Sequence, residues 1–174
     1  HTPLRLRRAD PVDMNGMDDT YRAYDRSLKK AAGRLGLNTP VTITTNPLVA
    51  GFAPLNWTGT TMFFARDDWS SSPARQQYWP AYTEAYRRIA ASGAVVTAVS
   101  QQILDRIEPT GPHAVVPNGV EPAEWTTAQP DEPAWLREIP HPRALYVGTL
   151  DSRLDIEGVT DFATRRPDIH TILM

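Results

Sequence analysis

The stretch HAVVPNGVEPAEW, from His113 to Trp125, holds the clearest change of character in the sequence. A short β-branched run stops at Pro117, and Asn118 and Gly119 follow at once, before an acidic segment with further prolines. We predict a strand that ends at the proline. We also predict a tight reversal at Asn118-Gly119, where glycine supplies the backbone freedom. An ordinary surface turn is the alternative interpretation of this pair.

Upstream of this stretch, short apolar runs alternate with helical patterns across short loops. The runs predicted to form strands are PVTITT (40–45), GTTMFFARDDW (59–69), AVVTAVS (94–100) and HAVVP (113–117). They are continuously apolar rather than alternating, which is typical of strands in a parallel sheet that is buried on both faces. The order of the segments predicts an α/β fold, a Rossmann-like parallel sheet with helices on both faces.

Three segments carry apolar residues at helical spacing and are predicted to be helices. The first covers residues 17–36 and is expected to start at Asp18 or Asp19 and to end at Gly36. The second precedes Gly93, and the third, QQILDRI (101–107), is expected to start after Ser100. The segment 46–57 is compatible with a broken helical turn. The tyrosine stripe of the second helix is expected to pack rather than to stack on a sugar; it comprises Tyr78, Tyr82 and Tyr86.

Residues 121–141 are rich in prolines and acids, and we predict a linker between two compact units. Trp125 and Trp135 are expected to dock this linker. The predicted organisation is a partial N-terminal Rossmann-like domain at 1–120, the linker, and the start of a second Rossmann-like domain at 142–174. That second domain is expected to begin with the strand RALYVGTL, to continue with a helix that follows it, and to reach the strand HTILM.

The composition excludes several classes of protein. The chain has no cysteine, so disulfides and thiolate metal sites are excluded. The net charge of −2 argues against nucleic-acid binding by a broad basic surface. No apolar run approaches the ~20 residues of a transmembrane helix. The basic run Arg5, Arg7 and Arg8 is expected to be a solvated surface, and the start at His1 is expected to be a trimmed or truncated one.

Several segments, in order, resemble the twin-domain glycosyltransferases of the GT-B fold, in the large retaining family four and its relatives. These segments are AVVTAVSQQILDRI, HAVVPNGVEPAEW and PRALYVGTLDSRLDIEGV. They are similar to the family's strand ending in V-S, its P-N-G-V loop and the first strand of its nucleotide-sugar domain. FFARDDWSSSP is similar to the D-D-W segment of relatives that include teichuronic-acid-type glycosyltransferases. The resemblance covers about residues 40–174.

The resemblance implies an acceptor-binding first domain, a donor-binding second domain and a reaction in the cleft between them. It places Asn118 and Gly119 at the crossover beside that cleft. It also implies a chain that is incomplete at both ends, because the family's E-x7-E segment would lie beyond Met174. We therefore expect a fragment that is inactive alone and belongs to a hexosyl- or glycosyltransferase.

The donor diphosphate is expected to bind at GTLDSRLD, through Gly148, Thr149 and Arg153. A glycine lets the backbone approach a phosphate, and Arg153, which is expected at the start of a helix, can pair with phosphate oxygens. The family more often has a basic pair here, of which only Arg153 remains. The alternative is a surface ion pair of Arg153 with Asp155 or Glu157.

Asp67 and Asp68 follow a predicted strand at the end where open α/β sheets bind ligands. They are the catalytic-site candidates, expected to orient an acceptor hydroxyl rather than to act as a strong base. Helix capping is the alternative. A metal site is not expected, because the chain has no histidine pair at ligand spacing and the metal-binding D-x-D motif belongs to a different glycosyltransferase fold.

The leading hypothesis is therefore transfer of a sugar from a nucleotide-sugar to a glycan, lipid-linked or small-molecule acceptor. The resemblance implies no cofactor besides the nucleotide-sugar as co-substrate, and the net charge of −2 favours no nucleic-acid partner. The lack of cysteine permits a reducing cytosol, so a cytoplasmic location is expected, with peripheral association with the inner membrane face where the acceptor is lipid-linked. Two alternatives stay open: a non-catalytic nucleotide- or sugar-binding module of the same fold, and a single flavodoxin-like domain.

Overall fold

The computed structural model describes residues 9–126 and 131–174. The basic run at residues 5–8 lies outside this part of the chain. The chain divides after Val120 into two compact units. The sheet of the first unit and the sheet of the second are separate.

The first unit combines long and short helices with short strands. The helices are α1 (Met14–Arg34), α2 (Pro47–Phe52), α3 (Trp79–Ser92) and α4 (Gln101–Ile107). The strands are β1 (Thr42–Thr44), β2 (Thr61–Ala65), β3 (Val95–Ala98) and β4 (His113–Val115). Two short 3₁₀ helices, Trp69–Ser71 and Pro73–Tyr78, occupy the segment between β2 and α3.

The four strands pair in sequence order, β1-β2-β3-β4, and all three pairings are parallel. Phe63 lies opposite Val96, and Ala65 lies opposite Ala98. Because right-handed crossovers between strands added in one direction place their connections on one side, α2, α3 and α4 share a face of the sheet. This confirms the predicted parallel α/β sheet.

The core of the sheet lies between that face and the helices. The buried side chains that meet there are Phe63, Ala65, Tyr86, Ile89, Val96, Ala98, Ile103, Leu104 and Ile107. On the opposite face, Ile43 is 65% exposed, and Met62 and Phe64 are half-buried. The prediction of helices on both faces is therefore met on one face only within residues 9–126.

Helix α1 packs beside α2 and begins earlier than predicted. Asp13 is its N-cap, and its Oδ1 accepts a hydrogen bond from the Gly16 backbone N–H at 2.8 Å. The prediction of a cap at Asp18 or Asp19 is therefore wrong. The sequence carries a signal for the missed first turn, because Met14 precedes Met17 by three residues and packs against the same core. The predicted end is confirmed, since Gly36 follows the helix with a positive φ of 67°.

Three further predictions in the first unit concern the segment 46–57, the end of α3 and the start of α4. The broken turn at 46–57 contains α2, whose N-cap is Asn46. Gly93 ends α3 in the left-handed conformation, as predicted. Ser100 occupies the N-cap position of α4, but its side chain makes no capping hydrogen bond.

The second unit is smaller and less buried. It contains α5 (Pro122–Thr126), α6 (Ala134–Arg137), β5 (Arg143–Tyr146), α7 (Ile156–Arg165) and β6 (His170–Leu173), and its two strands pair in parallel. Trp125 is 72% exposed and Trp135 is 45% exposed. The prediction that these tryptophans dock the linker is therefore wrong.

No helix within residues 9–126 and 131–174 is both long enough and apolar enough to cross a bilayer.

Candidate functional site

The carboxyl ends of the parallel strands of the first unit meet at one edge of the sheet, where α/β folds bind ligands. Asp67 and Asp68 follow β2 at this edge, and Asn118 and Gly119 follow β4. A groove of about 500 Å³ lies at the opposite, amino-terminal edge, between α2 and α3. Its lining side chains are neutral, so the charged residues of the candidate site do not coincide with this groove.

Both carboxylate oxygens of Asp68 are bonded to other groups of the protein. Its Oδ1 accepts hydrogen bonds from the Ser70 backbone N–H at 3.1 Å and from the Ser70 hydroxyl at 2.7 Å. Its Oδ2 lies 3.0 Å from Nη1 of Arg106, on α4. Asp68 is the N-cap of the first 3₁₀ helix, so the capping alternative is confirmed for this residue.

The Asp67 side chain, in contrast, is exposed. Within the described part of the chain its carboxylate has no hydrogen-bond or ion-pair partner. Its backbone carbonyl is held, because it accepts a hydrogen bond from the hydroxyl of Tyr86 at 3.4 Å. Of the two adjacent aspartates, Asp67 is therefore the one whose carboxylate is available to a solute.

Tyr86, on α3, is a functional candidate that the sequence analysis assigned to packing alone. The ring is buried, as predicted. Its hydroxyl also accepts a hydrogen bond from the Trp69 backbone N–H at 3.1 Å while it donates to Asp67. Burial raises the pKa of Tyr86 to about 12, so the hydroxyl keeps its proton near neutral pH.

Trp69 follows Asp67 by two residues, and its ring packs against the buried core of the first unit. Its ring centroid lies 5.7 Å from that of Tyr82, and the Arg75 guanidinium lies 5.7 Å from the Trp69 ring centroid. The ring is half-buried, and one part of it stays accessible. One loop at this edge thus carries an exposed carboxylate and a partly exposed aromatic residue, and ligand sites commonly combine polar groups with aromatic ones.

The reversal predicted at Asn118-Gly119 is not formed. The backbone N–H of Val116 still bonds to the Ala98 carbonyl at 2.8 Å, so pairing with β3 continues past β4. Neither a turn nor a bend occurs at these residues, and Gly119 has no left-handed backbone conformation. Both residues are exposed at the end of an extended segment.

In the second unit, Gly148 and Thr149 follow β5. The backbone N–H of Gly148 donates to the Met174 carbonyl at 2.9 Å, which extends the pairing of β5 and β6. A β-carbon added at Gly148 would lie 2.7 Å from the hydroxyl of Tyr146. That hydroxyl donates a hydrogen bond to the Thr149 carbonyl at 3.4 Å. Because this hydroxyl is the far end of a flexible side chain, a small shift of the Tyr146 ring would accommodate a β-carbon at Gly148.

Arg153 is 72% exposed but already paired. Its Nε and Nη2 bond to the two carboxylate oxygens of Asp151 at 3.0 and 2.9 Å. This pairing lowers the pKa of Asp151 and raises that of Arg153. Arg153 therefore forms a surface ion pair, as the alternative interpretation predicted. Its partner is Asp151, however, and not Asp155 or Glu157.

The start of α7 is also occupied by a carboxylate. Asp155 is the N-cap, and its Oδ1 accepts from the Gly158 backbone N–H at 2.9 Å. Arg153 lies before this cap, so the prediction that it sits at the helix start is wrong. A phosphate approaching this helix end would meet the Asp155 carboxylate as well as the helix dipole.

Within residues 9–126 and 131–174, no group of three or more histidine, aspartate or glutamate side chains is arranged to hold a metal ion.

Comparison of the chain with protein-family models, with curated proteins and with solved structures finds no match. What the structure defines is a mixed α/β protein with a parallel four-stranded sheet and helices. Any function is therefore argued from the site itself.

Proposed function

We propose that this chain belongs to a glycosyltransferase that moves a sugar from a nucleotide-sugar to a glycan, lipid-linked or small-molecule acceptor. In this proposal the first unit contacts the acceptor and the second contacts the donor diphosphate. The observation that carries the proposal is the exposed carboxylate of Asp67 at the carboxyl edge of a parallel sheet, without a partner in the described residues.

Asp67 would orient the acceptor by accepting a hydrogen bond from a sugar hydroxyl, a charge-assisted contact stronger than a neutral one. The accessible part of the Trp69 ring would contact the apolar face of the same sugar. Asp68 would not touch the acceptor, because its oxygens already bind Ser70 and Arg106. The reacting hydroxyl would therefore be placed by one carboxylate and one aromatic ring.

On the donor side, Gly148, Thr149 and Arg153 would bind the diphosphate that leaves when the sugar is transferred. A positive group near the leaving oxygens stabilises the charge that develops there. Arg153 can do this only if its guanidinium exchanges the Asp151 carboxylate for phosphate. Such an exchange is feasible at an exposed position, where water screens the ion pair and it contributes little to stability.

A second candidate function is a non-catalytic nucleotide- or sugar-binding module of the same fold. The Arg153–Asp151 pair and the Asp155 cap favour it, because both reduce the positive potential available for a diphosphate. This candidate predicts binding of a ligand without transfer of a sugar.

The test is a transfer assay on the full gene product that contains this chain, with UDP-glucose, GDP-mannose and dTDP-rhamnose as donors. Polyprenyl-diphosphate-linked and free disaccharides serve as acceptors, and release of nucleoside diphosphate is measured. Asp67→Asn should lower acceptor-dependent release by roughly 10–100-fold, because the acceptor hydroxyl loses its orientation. Asp19→Asn, an exposed aspartate on α1, is the matched control and should leave release unchanged.

The two candidate functions give different results. Acceptor-dependent release by the wild type that is lost in Asp67→Asn supports the transferase. Saturable nucleotide binding in calorimetry without release favours the binding module. Equal behaviour of the Asp67 and Asp19 variants would remove Asp67 from the acceptor site.

A further inference from the structure

The loop that carries Asp67 is fastened to two different helices of the first unit. Tyr86 reaches it from α3, and Arg106 reaches it from α4. The residues bonded in this way, Asp67, Asp68 and Trp69, are consecutive and form the carboxyl-edge loop discussed below. Both fastening side chains come from positions far away in the sequence.

The Tyr86 hydroxyl binds the main chain on both sides of Asp68. It donates to the Asp67 carbonyl at 3.4 Å and accepts from the Trp69 N–H at 3.1 Å. The ring is only 3% exposed and packs against Phe63 of β2, with ring centroids 6.3 Å apart. The hydroxyl therefore has little freedom to move, and the loop backbone is held to a buried, rigid group.

Arg106 fastens the same loop through a side chain. Its Nη1 lies 3.0 Å from Asp68 Oδ2, while Asp68 Oδ1 is held by Ser70. The Asp68 side chain is 20% exposed and the Arg106 side chain 51% exposed. The ion pair therefore ties a side chain of the loop to α4, whereas the Tyr86 hydroxyl ties the main chain of the loop to α3.

We propose that Tyr86 and Arg106 are positioning residues that hold the Asp67 carboxylate and the Trp69 ring in one arrangement for the acceptor. The inference rests on the proposed function and deepens it. Neither side chain touches the acceptor; both act through the loop. Their effect is on orientation, where a displacement of about 1 Å can cost up to about 100-fold in rate.

The main test is Tyr86→Phe, which keeps the buried ring and removes only the hydroxyl. Tyr78→Phe is the matched control, because Tyr78 is buried in the same tyrosine stripe and its hydroxyl donates to the Asp10 carbonyl at 3.2 Å. Each variant thus loses one tyrosine hydroxyl bonded to backbone, but only Tyr86→Phe releases the carboxyl-edge loop.

Two quantities are measured in the full gene product. Amide hydrogen exchange at Trp69 should become about tenfold faster in Tyr86→Phe and should stay unchanged in Tyr78→Phe, because one net hydrogen bond is lost at that amide. The kcat/KM for the acceptor should fall about 10–100-fold in Tyr86→Phe and less than about twofold in Tyr78→Phe. The KM for the donor should not change.

Arg106 is tested with variants that do not disturb the core, because the residue is half-exposed. Arg106→Ala should lower kcat/KM for the acceptor by about tenfold, and Arg106→Lys should recover part of it by keeping a charge near Asp68. Arg87→Ala removes an arginine that is 68% exposed and pairs with Glu84 on α3. This control should transfer at the wild-type rate.

The outcomes separate this inference from the proposed function. Absence of transfer in the wild type would overturn the proposed function and this inference with it. Transfer in the wild type with faster Trp69 exchange but unchanged acceptor kcat/KM in Tyr86→Phe would overturn the positioning role alone. An equal loss of acceptor kcat/KM in Tyr86→Phe and Tyr78→Phe would mean that the Tyr86 hydroxyl contributes to stability and does not position the loop.

Discussion

Gly51 of α2 lies against Ala85 of α3 so closely that a β-carbon on Gly51 would lie 2.6 Å from the Ala85 Cα. It would also lie 2.8 Å from the Ala85 carbonyl oxygen. These are backbone atoms, which cannot move aside as a side chain can. Because α2 and α3 form part of the core beneath the sheet, this close approach sets how near the two helices can pack.

Gly51→Ala should therefore destabilise the first unit by about 3 kcal/mol or more, since overpacking a tight contact costs about 1–3 kcal/mol and here the contact is with backbone. Gly33→Ala is the matched control, because a β-carbon on Gly33 of α1 meets no atom within 4 Å. That change should stabilise by about 0.5–1 kcal/mol, since alanine favours a helix over glycine. Urea unfolding measures both, and equal effects would contradict the close contact.

Glu84 should make the first unit sensitive to acid. Hydrogen bonds from Arg87 and then from Arg88, each at 2.7 Å, lower the pKa of Glu84 from 4.5 to about 2. The folded state therefore binds fewer protons than the unfolded state between these values, and stability falls as the pH falls through that window. Glu84→Gln should remove this part of the pH dependence.

Urea unfolding from pH 6 down to pH 2 checks the expectation. The stability difference between wild type and Glu84→Gln should be constant above pH 5 and should shrink between pH 4.5 and 2. Asp19→Asn, at an exposed position on the same first unit, serves as the control. A difference that stays constant down to pH 2 would show that the arginines do not hold the Glu84 charge.

The strands of the first unit could be predicted because continuous apolar runs between glycines and prolines leave few alternatives. The partners of the charged residues could not. Asp68 and Arg106 are brought together because α4 packs against α3 and β3, next to the loop that follows β2, and no sequence spacing indicates this contact. The buried Tyr86 could be predicted, but its hydroxyl contacts could not, because they depend on where the loop after β2 passes.

Two misplaced predictions share one cause, which is the uncertain boundary of a helix. The start of α1 at Met14 moved the cap to Asp13, and the late start of α7 at Ile156 left Arg153 in the preceding turn. Arg153 therefore pairs two residues back, with Asp151, rather than along a helix face. Apolar stripes locate helix interiors, whereas the ends depend on single capping contacts.

The second unit should be digested before the first. Within residues 131–174, Ile172 is the only buried apolar side chain, while Leu145 and Val147 are 54% and 72% exposed. Trypsin should therefore cleave the 174-residue chain early at Arg165, whose side chain is 76% exposed, and late at Arg88, which is 30% exposed. Mass spectrometry of timed digests should show a lasting fragment that retains α1 to α4. Simultaneous loss of both units would contradict this order.

The last prediction concerns the release of Arg153 from Asp151. If the guanidinium contributes to a diphosphate site, Asp151→Asn should free it and tighten the binding of UDP, GDP or dTDP by about 2–5-fold, the range expected for an exposed ion pair. Arg153→Ala should weaken the same binding. Calorimetry on the full gene product at about 50 mM salt measures the change, because screening is weak there.

Asp168→Asn is the matched control for this experiment. Asp168 pairs with Arg166 across the same two-residue spacing, at 2.7 Å and with similar exposure, so its removal adds the same charge elsewhere in the second unit. Equal tightening in both variants would mean that net charge alone attracts the nucleotide. Tightening confined to Asp151→Asn, together with weaker binding in Arg153→Ala, would place the diphosphate at Arg153, because only that pair of changes alters the same guanidinium in opposite directions.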